Sequence, residues 1–114
     1  MRYLLLIYES ENQAEPPTEE ELGRWFQYTE DLKNSGCYHA GEALQPTATA
    51  TTVRGNGTKV LSTDGPFAET REQLGGFYMV DCKDLDEAMS WASKMPNIHR
   101  GSVEVRPIME FEQA

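Results

Sequence analysis

Two stretches decide the fold, and each is apolar on both alternating sets of side chains: Tyr3-Leu4-Leu5-Leu6-Ile7-Tyr8 and Phe77-Tyr78-Met79-Val80. Successive side chains of a β-strand point to opposite faces of its sheet, so a strand with this pattern needs cover on both faces. These stretches therefore predict two central strands in a sheet that is buried on both sides.

An amphipathic helix is predicted after each of these two strands. Thr18 and Asp84 each stand three residues before a glutamate, the spacing of a capping box at a helix start. Apolar residues then recur at helical period, and Gly36 and Pro96 mark where the helices are expected to end. The predicted apolar stripes are Leu22, Trp25, Phe26, Thr29 and Leu32, then Leu85, Ala88, Met89, Ala92 and Met95.

Further strands are predicted at residues 37–45 and 102–106, so that each half of the chain reads strand, helix, strand. Between the halves, residues 47–63 predict a β-hairpin that turns at Gly55-Asn56-Gly57. The pattern predicts an α+β fold with a ferredoxin-like βαββαβ plan and an inserted β-hairpin. A chain of 114 residues holds one core, so residues 1–114 are expected to form a single domain.

A second copy of the chain is the predicted partner. Two helices cover only one face of a four-stranded sheet, yet the central strands are apolar on both faces. Packing two sheets face to face is the simplest way to cover the remaining face. The sequence therefore predicts a homodimer.

Charge excludes some other partners. The net charge is −9, which opposes binding to nucleic acid or to anionic lipid. The apolar run at residues 3–8 is too short to span a membrane, and no basic leader precedes it, so a cytoplasmic location is expected. The two cysteines, Cys37 and Cys82, lie in different apolar strands, which favours reduced thiols and no metal site.

Four segments carry a resemblance to a known family: residues 49–54 (TATTVR), 63–78 (TDGPFAETREQLGGFY), 84–88 (DLDEA) and 101–107 (GSVEVRP). They resemble the DGPF branch of the YCII-related proteins, over nearly the whole chain. The resemblance implies a ferredoxin-like fold of the dimeric α/β-barrel type. Most members of this branch have no assigned activity, and some are encoded beside sigma factors of the extracytoplasmic-function type.

A more distant YCII-like relative is a dehydrochlorinase of a chlorinated hydroxyquinol. The resemblance to the broader group implies cofactor-independent chemistry by a histidine and an aspartate acting as an acid/base pair. In those relatives the histidine lies in the first helix, at a position near Trp25 of this chain. Here that helix contains no histidine, and the only two are His39 and His99. The pair is therefore not present in its usual form.

Asp64 is the leading candidate for acid/base chemistry. It begins an Asp-Gly-Pro turn. Its carboxylate either accepts hydrogen bonds from backbone amides of the turn or carries protons in a cleft between the sheet and the helices. The two roles are compatible, because a rigid turn holds a catalytic group well. His39, in the second strand, restores the pair if it faces Asp64, and is otherwise a hydrogen-bonded or exposed residue.

Three arginines are candidates for holding a carboxylate or phenolate: Arg54 and Arg106 within strands, and Arg71 before the third strand of the sheet. The alternative for each is an ion pair with a nearby glutamate. Tyr78 is the candidate aromatic contact of a ligand. No cofactor is expected.

Two functions remain open from the sequence. The first is a small pocket near Asp64 that binds or acts on a small polar aromatic-like molecule without a cofactor. The second is a noncatalytic dimeric accessory module, linked to sigma-factor or stress regulation, in which the DGPF turn is architectural.

Overall fold

The computed structural model describes residues 1–11 and 17–111, so residues 12–16 and 112–114 of the expected domain lie outside the described part. A short 3-10 turn, Thr47–Thr49, precedes the hairpin. The strands are β1 Arg2–Glu9, β2 Tyr38–Ala43, β3 Thr51–Asn56, β4 Lys59–Asp64, β5 Gln73–Asp81 and β6 Ser102–Pro107, and the helices are α1 Glu19–Asn34 and α2 Leu85–Ser93.

The sheet confirms the ferredoxin-like plan. Its four strands are antiparallel in the order β2-β5-β1-β6, so the two doubly apolar stretches are the central strands. The hairpin β3–β4 forms a separate two-stranded sheet, and Gly57 supplies the positive φ of +64° at its turn.

The capping residues start both helices as predicted. The Thr18 hydroxyl accepts the backbone N–H of Glu21 at 3.2 Å, and the Asp84 carboxylate accepts that of Glu87 at 2.9 Å. At its other end, α1 is followed by Gly36 with a φ of +84°. The bonds at the helix starts satisfy backbone donors that have no partner inside the helix.

The core lies between the helices and one face of the sheet. Tyr3, Leu5 and Ile7 of β1 alternate toward this side and pack against both helices. Neither helix in the described part of the chain is both long and apolar enough to span a bilayer. The buried apolar residues are Tyr3, Leu5, Ile7, Tyr28, Leu32, Cys37, Val80, Cys82, Ala88, Ala92 and Met95.

The other face of the sheet, here called the open face, carries no helix from the described chain. On it Leu6 lies in register between Phe77 and Glu104, and Leu4 lies beside Met79. The apolar side chains among them are only partly buried. The double apolar pattern of the central strands is thus satisfied on one side alone.

The helical stripes differ from the prediction at several positions. Leu22 and Phe26 of α1 are exposed, as are Leu85 and Met89 of α2. Leu32 is buried as predicted, and the other buried residue of α1 is Tyr28, whose hydroxyl donates to a backbone carbonyl of α2 at 2.9 Å. Leu22 and Phe26 line the cavity beside α1 instead of packing into the core.

Gly23 in the second turn of α1 offers a test of the helix. A Cβ added there meets no atom within 4 Å. We expect Gly23→Ala to raise the free energy of unfolding by about 0.5–1 kcal/mol, because alanine loses less backbone entropy in a helix. Urea unfolding at fixed protein concentration measures it; an unchanged or lower midpoint would contradict an ordered, open helix face at this position.

Candidate functional site

A cavity of about 1100 Å³ lies between α1 and the neighbouring strands β2 and β5. One end reaches the end of β1 and the loop after α2. The volume is slightly above the range of about 300–1,000 Å³ that is typical of small-molecule sites.

Aromatic side chains form the wall of the cavity: Trp25 from α1, Tyr38 from β2 and Tyr78 from β5. The Tyr78 ring lies close over Gly41, where a Cβ would be 2.6 Å from the ring. Its hydroxyl lies 2.6 Å from that of Thr29. Burial raises the pKa of Tyr78, so the phenol stays protonated at neutral pH. The wall is thus a fixed, uncharged aromatic surface.

The end of the cavity near β1 is charged. Arg100 lies 3.6 Å from the Glu9 carboxylate and 3.5 Å from the Glu21 carboxylate, and all three groups are partly exposed. Glu42 adds a third carboxylate to the lining. With three carboxylates and one guanidinium, the lining carries an excess of negative charge. The carboxylates can accept hydrogen bonds, and the guanidinium of Arg100 can donate them.

The loop after α2 brings Arg100 to this end. Asn97 is fully buried, and its Nδ2 donates to the carbonyl of Tyr8 at 3.4 Å. Gly101 donates its N–H to the carbonyl of Asn97 at 2.9 Å. A Cβ on Gly101 would lie 2.3 Å from the Tyr8 carbonyl oxygen, so only glycine allows the loop this close to β1.

Two adjacent glycines shape the strand next to the cavity. Tyr8 pairs with Leu74 while Ile7 pairs with Gly76, which leaves Gly75 as the extra residue of a β-bulge. At Gly76 a Cβ would lie 2.9 Å from a carbonyl oxygen of β2. The pair therefore forms a bulge and a close strand contact.

Of the residues predicted from the sequence, Tyr78 lines the cavity. Asp64 pairs with Thr51 at the base of the hairpin, where its side chain is exposed and is not among the described residues that line the cavity. His39 is exposed in β2 and lies near Asp81. The structure therefore does not bring Asp64 and His39 together at the cavity within one chain, and their catalytic roles stay predictions.

The three predicted arginines lie apart from one another. Arg54 of β3 donates to the carbonyl of Phe67 at 3.0 Å and stands 5.2 Å over its ring. Arg106 pairs with Glu104 on the open face, which is the ion-pair alternative considered for it. Arg71 is exposed before β5. A ligand-binding role for each remains a prediction.

Sequence reasoning did not find the charged group of Arg100, Glu9 and Glu21. The three residues come from a loop, a strand end and a helix start, and no local spacing connects them. Gly101 is the one residue of this loop that could have indicated the close approach to β1 from the sequence. A glycine after a helix is common for other reasons, however, so it does not predict a site.

The two cysteines are also closer than their positions in the sequence indicate. The sulfurs of Cys37 and Cys82 and a carboxylate oxygen of Glu87 all lie within 4.8 Å of one another. The Cys37 thiol donates to Glu87 at 3.5 Å. Burial, reinforced by Cys37 and Glu87, raises the pKa of Cys82 to about 12, so this thiol keeps its proton at neutral pH. The expected absence of a metal site remains a prediction.

The sequence matches the family model of the YCII-related domain over residues 1–112. An uncharacterized protein of Rhizobium meliloti (strain 1021) is 46% identical over 71 residues, which cover 60% of this chain and 57% of that protein, so the match spans little more than half of the relative.

A solved structure also aligns with the chain. It is 5-chloro-2-hydroxyhydroquinone dehydrochlorinase from Burkholderia phenoliruptrix AC1100 in complex with 2,5-dihydroxybenzoquinone, with a TM-score of 0.49 and 16% identity over 97% of this chain and 96% of that one. Because the family model covers the chain nearly from end to end, this protein belongs to the YCII-related family.

Proposed function

We propose that the cavity under α1 binds a small, uncharged, hydroxylated aromatic molecule and that its carboxylates exchange protons with the ligand hydroxyls without a cofactor. The observation that carries the proposal is the combination of a fixed aromatic wall, Trp25, Tyr38 and Tyr78, with the charged group of Arg100, Glu9 and Glu21 at one end. A planar ring packs against the wall while its hydroxyls reach the charged end.

The charge of the lining supports an uncharged ligand. The lining holds three carboxylates and one guanidinium, so an anionic ring would meet net repulsion. A phenolic hydroxyl instead donates to a carboxylate, a charge-assisted hydrogen bond. If Glu9 or Glu21 accepts that proton, the phenolate that forms lies beside the guanidinium of Arg100, which stabilises its charge.

A homodimer is part of the proposal. Leu4, Leu6, Phe77 and Met79 leave an apolar stripe along the centre of the open face. Two such sheets packed face to face at about 10 Å would bury both stripes. We place this dimer in the cytoplasm, where the two free thiols stay reduced.

Glu21→Gln tests the site. The amide keeps the shape but loses the charge, so we expect the Kd for resorcinol, an uncharged dihydroxybenzene, to rise about tenfold. Isothermal titration calorimetry measures it, and Glu20→Gln is the matched control, because Glu20 is exposed on the same helical turn and does not line the described cavity. The two variants carry the same change in net charge.

Two further ligands test separately whether the site requires hydroxyl groups and whether it excludes negative charge. Toluene lacks the hydroxyls, and 3-hydroxybenzoate adds a negative charge, so both should bind more weakly than resorcinol. Equal binding of 3-hydroxybenzoate, or equal losses in both glutamate variants, would contradict a site that selects uncharged hydroxylated rings. Absence of resorcinol binding in the unmodified protein would favour the alternative of a noncatalytic accessory module.

A further inference from the structure

The hairpin β3–β4 extends away from the domain that carries it. It pairs only with itself in the sheet topology, and it is held at its base, where Thr52 bonds to Gly65 and Arg54 to Phe67. The radius of gyration is 16.3 Å, whereas a compact chain of this length has about 13 Å. The hairpin is therefore an arm that projects from the compact part of the chain.

An arm of this kind is unstable in isolation. A lone two-stranded hairpin is at best marginally stable in water. Yet Val53, Val60 and Leu61 are all exposed along it, with Val60 at 74%. Leu61 lies on one face of the hairpin and the two valines lie on the other, so each face offers apolar surface to another element.

One face of the arm is basic. Residues that pair across an antiparallel ladder share a face, so Arg54 lies beside Leu61, and Lys59 lies beside Asn56 on the same side. Neither cation forms an ion pair with a carboxylate in the part of the chain that the structure describes. This face offers two positive charges and one leucine in a protein of net charge −9.

The mouth of the cavity has the complementary character. Leu22 and Phe26 are exposed along its rim, Phe26 at 71%, although the sequence pattern predicts them in the core. The first turn of α1 carries Glu19 and Glu20 beside Glu21, which is the one of the three that lines the cavity. The mouth therefore presents apolar surface beside excess negative charge.

We propose that, in the homodimer, the arm of one chain lies over the cavity mouth of its partner, with Arg54, Lys59 and Leu61 facing the partner's apolar and acidic rim. A six-residue strand is about 20 Å long, which spans the sheet-to-sheet spacing of about 10 Å and leaves about 10 Å to pass the edge of the partner's sheet to its helical side, where the cavity lies. Each ligand site is then built from two chains, and the arm excludes water from the bound ring. This inference rests on the proposed function and adds that the site is incomplete in a single chain.

Mixed dimers test the proposal. The double variant Arg54→Glu, Lys59→Glu damages the arm, whereas Glu21→Gln damages the cavity. We expect each variant alone to bind resorcinol about tenfold more weakly, since each removes a charged part of the site. When the two variants are mixed, about half of the randomly paired dimers contain one chain of each kind. One of the two sites in such a dimer combines an intact arm with an intact cavity, so about a quarter of all sites should regain wild-type affinity.

The matched control for the arm variant is Lys83→Glu, Lys94→Glu, which makes the same charge change at exposed positions outside the cavity lining and should bind as the unmodified protein does. If the mixture restores no sites, or the control loses as much affinity as the arm variant, the arm does not act on the partner.

A crosslinking experiment separates this proposal from the ligand proposal. A Lys59→Cys chain and a Glu19→Cys chain are mixed and treated with a flexible bismaleimide, which should join them into a two-chain product. The yield of this product should be much lower when either chain is treated alone. Both native cysteines are buried. Crosslinking without resorcinol binding would overturn the proposed ligand and leave the arm in place; resorcinol binding without the crosslink would overturn the arm alone.

Discussion

Gly101→Ala is expected to lower the free energy of unfolding by about 3 kcal/mol, at the upper end of the overpacking range. The added Cβ would lie 2.3 Å from the backbone oxygen of Tyr8 and 3.0 Å from the Glu9 Cβ. Because the closest atom belongs to a central strand of the sheet, neither side can yield without moving the loop away from β1.

The same change should reach the candidate site. Moving the loop withdraws Arg100, the residue just before Gly101, from Glu9 and Glu21, so the Kd for resorcinol should rise even at temperatures where the variant is folded. Thermal melts at fixed protein concentration should show a midpoint lowered by roughly 10 °C. Gly55→Ala is the control, because no atom lies within 4 Å of its added Cβ. A Gly101 variant as stable as this control would contradict the close approach.

Leu6→Glu is expected to raise the dissociation constant of the homodimer at least about a hundredfold, since an unpaired charge enclosed at an interface costs about 3 kcal/mol or more. Leu6 lies at the centre of the open face, between Phe77 and Glu104. Within a single chain its side chain is only partly buried, so the isolated fold should tolerate the carboxylate. Sedimentation velocity across a dilution series measures the change.

Leu85→Glu gives the comparison, because Leu85 is an exposed leucine at the start of α2, on the helical side of the sheet. It should leave the association state unchanged. If the unmodified protein sediments as a monomer at micromolar concentration, or if both variants shift alike, the open face is not the dimer interface. Circular dichroism of the Leu6 variant should keep the native spectrum, which separates loss of pairing from loss of the fold.

The order of elements could be predicted because its signals are local. Thr18 and Asp84 mark helix starts through a hydrogen bond to a backbone donor three residues away. The central strands are recognisable because successive side chains point to opposite faces of the sheet. A few consecutive apolar residues therefore already indicate that both faces are covered.

The candidate site has no such local signal, because its parts come from distant segments. Glu9, Glu21 and Arg100 meet only when β1, α1 and the loop after α2 pack together, and Cys37 meets Cys82 only through the pairing of β2 with β5. Helical period alone placed Leu22 and Phe26 in the core, and the packing that opens a cavity beneath α1 leaves them exposed. Short-range backbone preferences act within about one turn or one strand, whereas the position of a cavity depends on how whole elements minimise their exposed surface together.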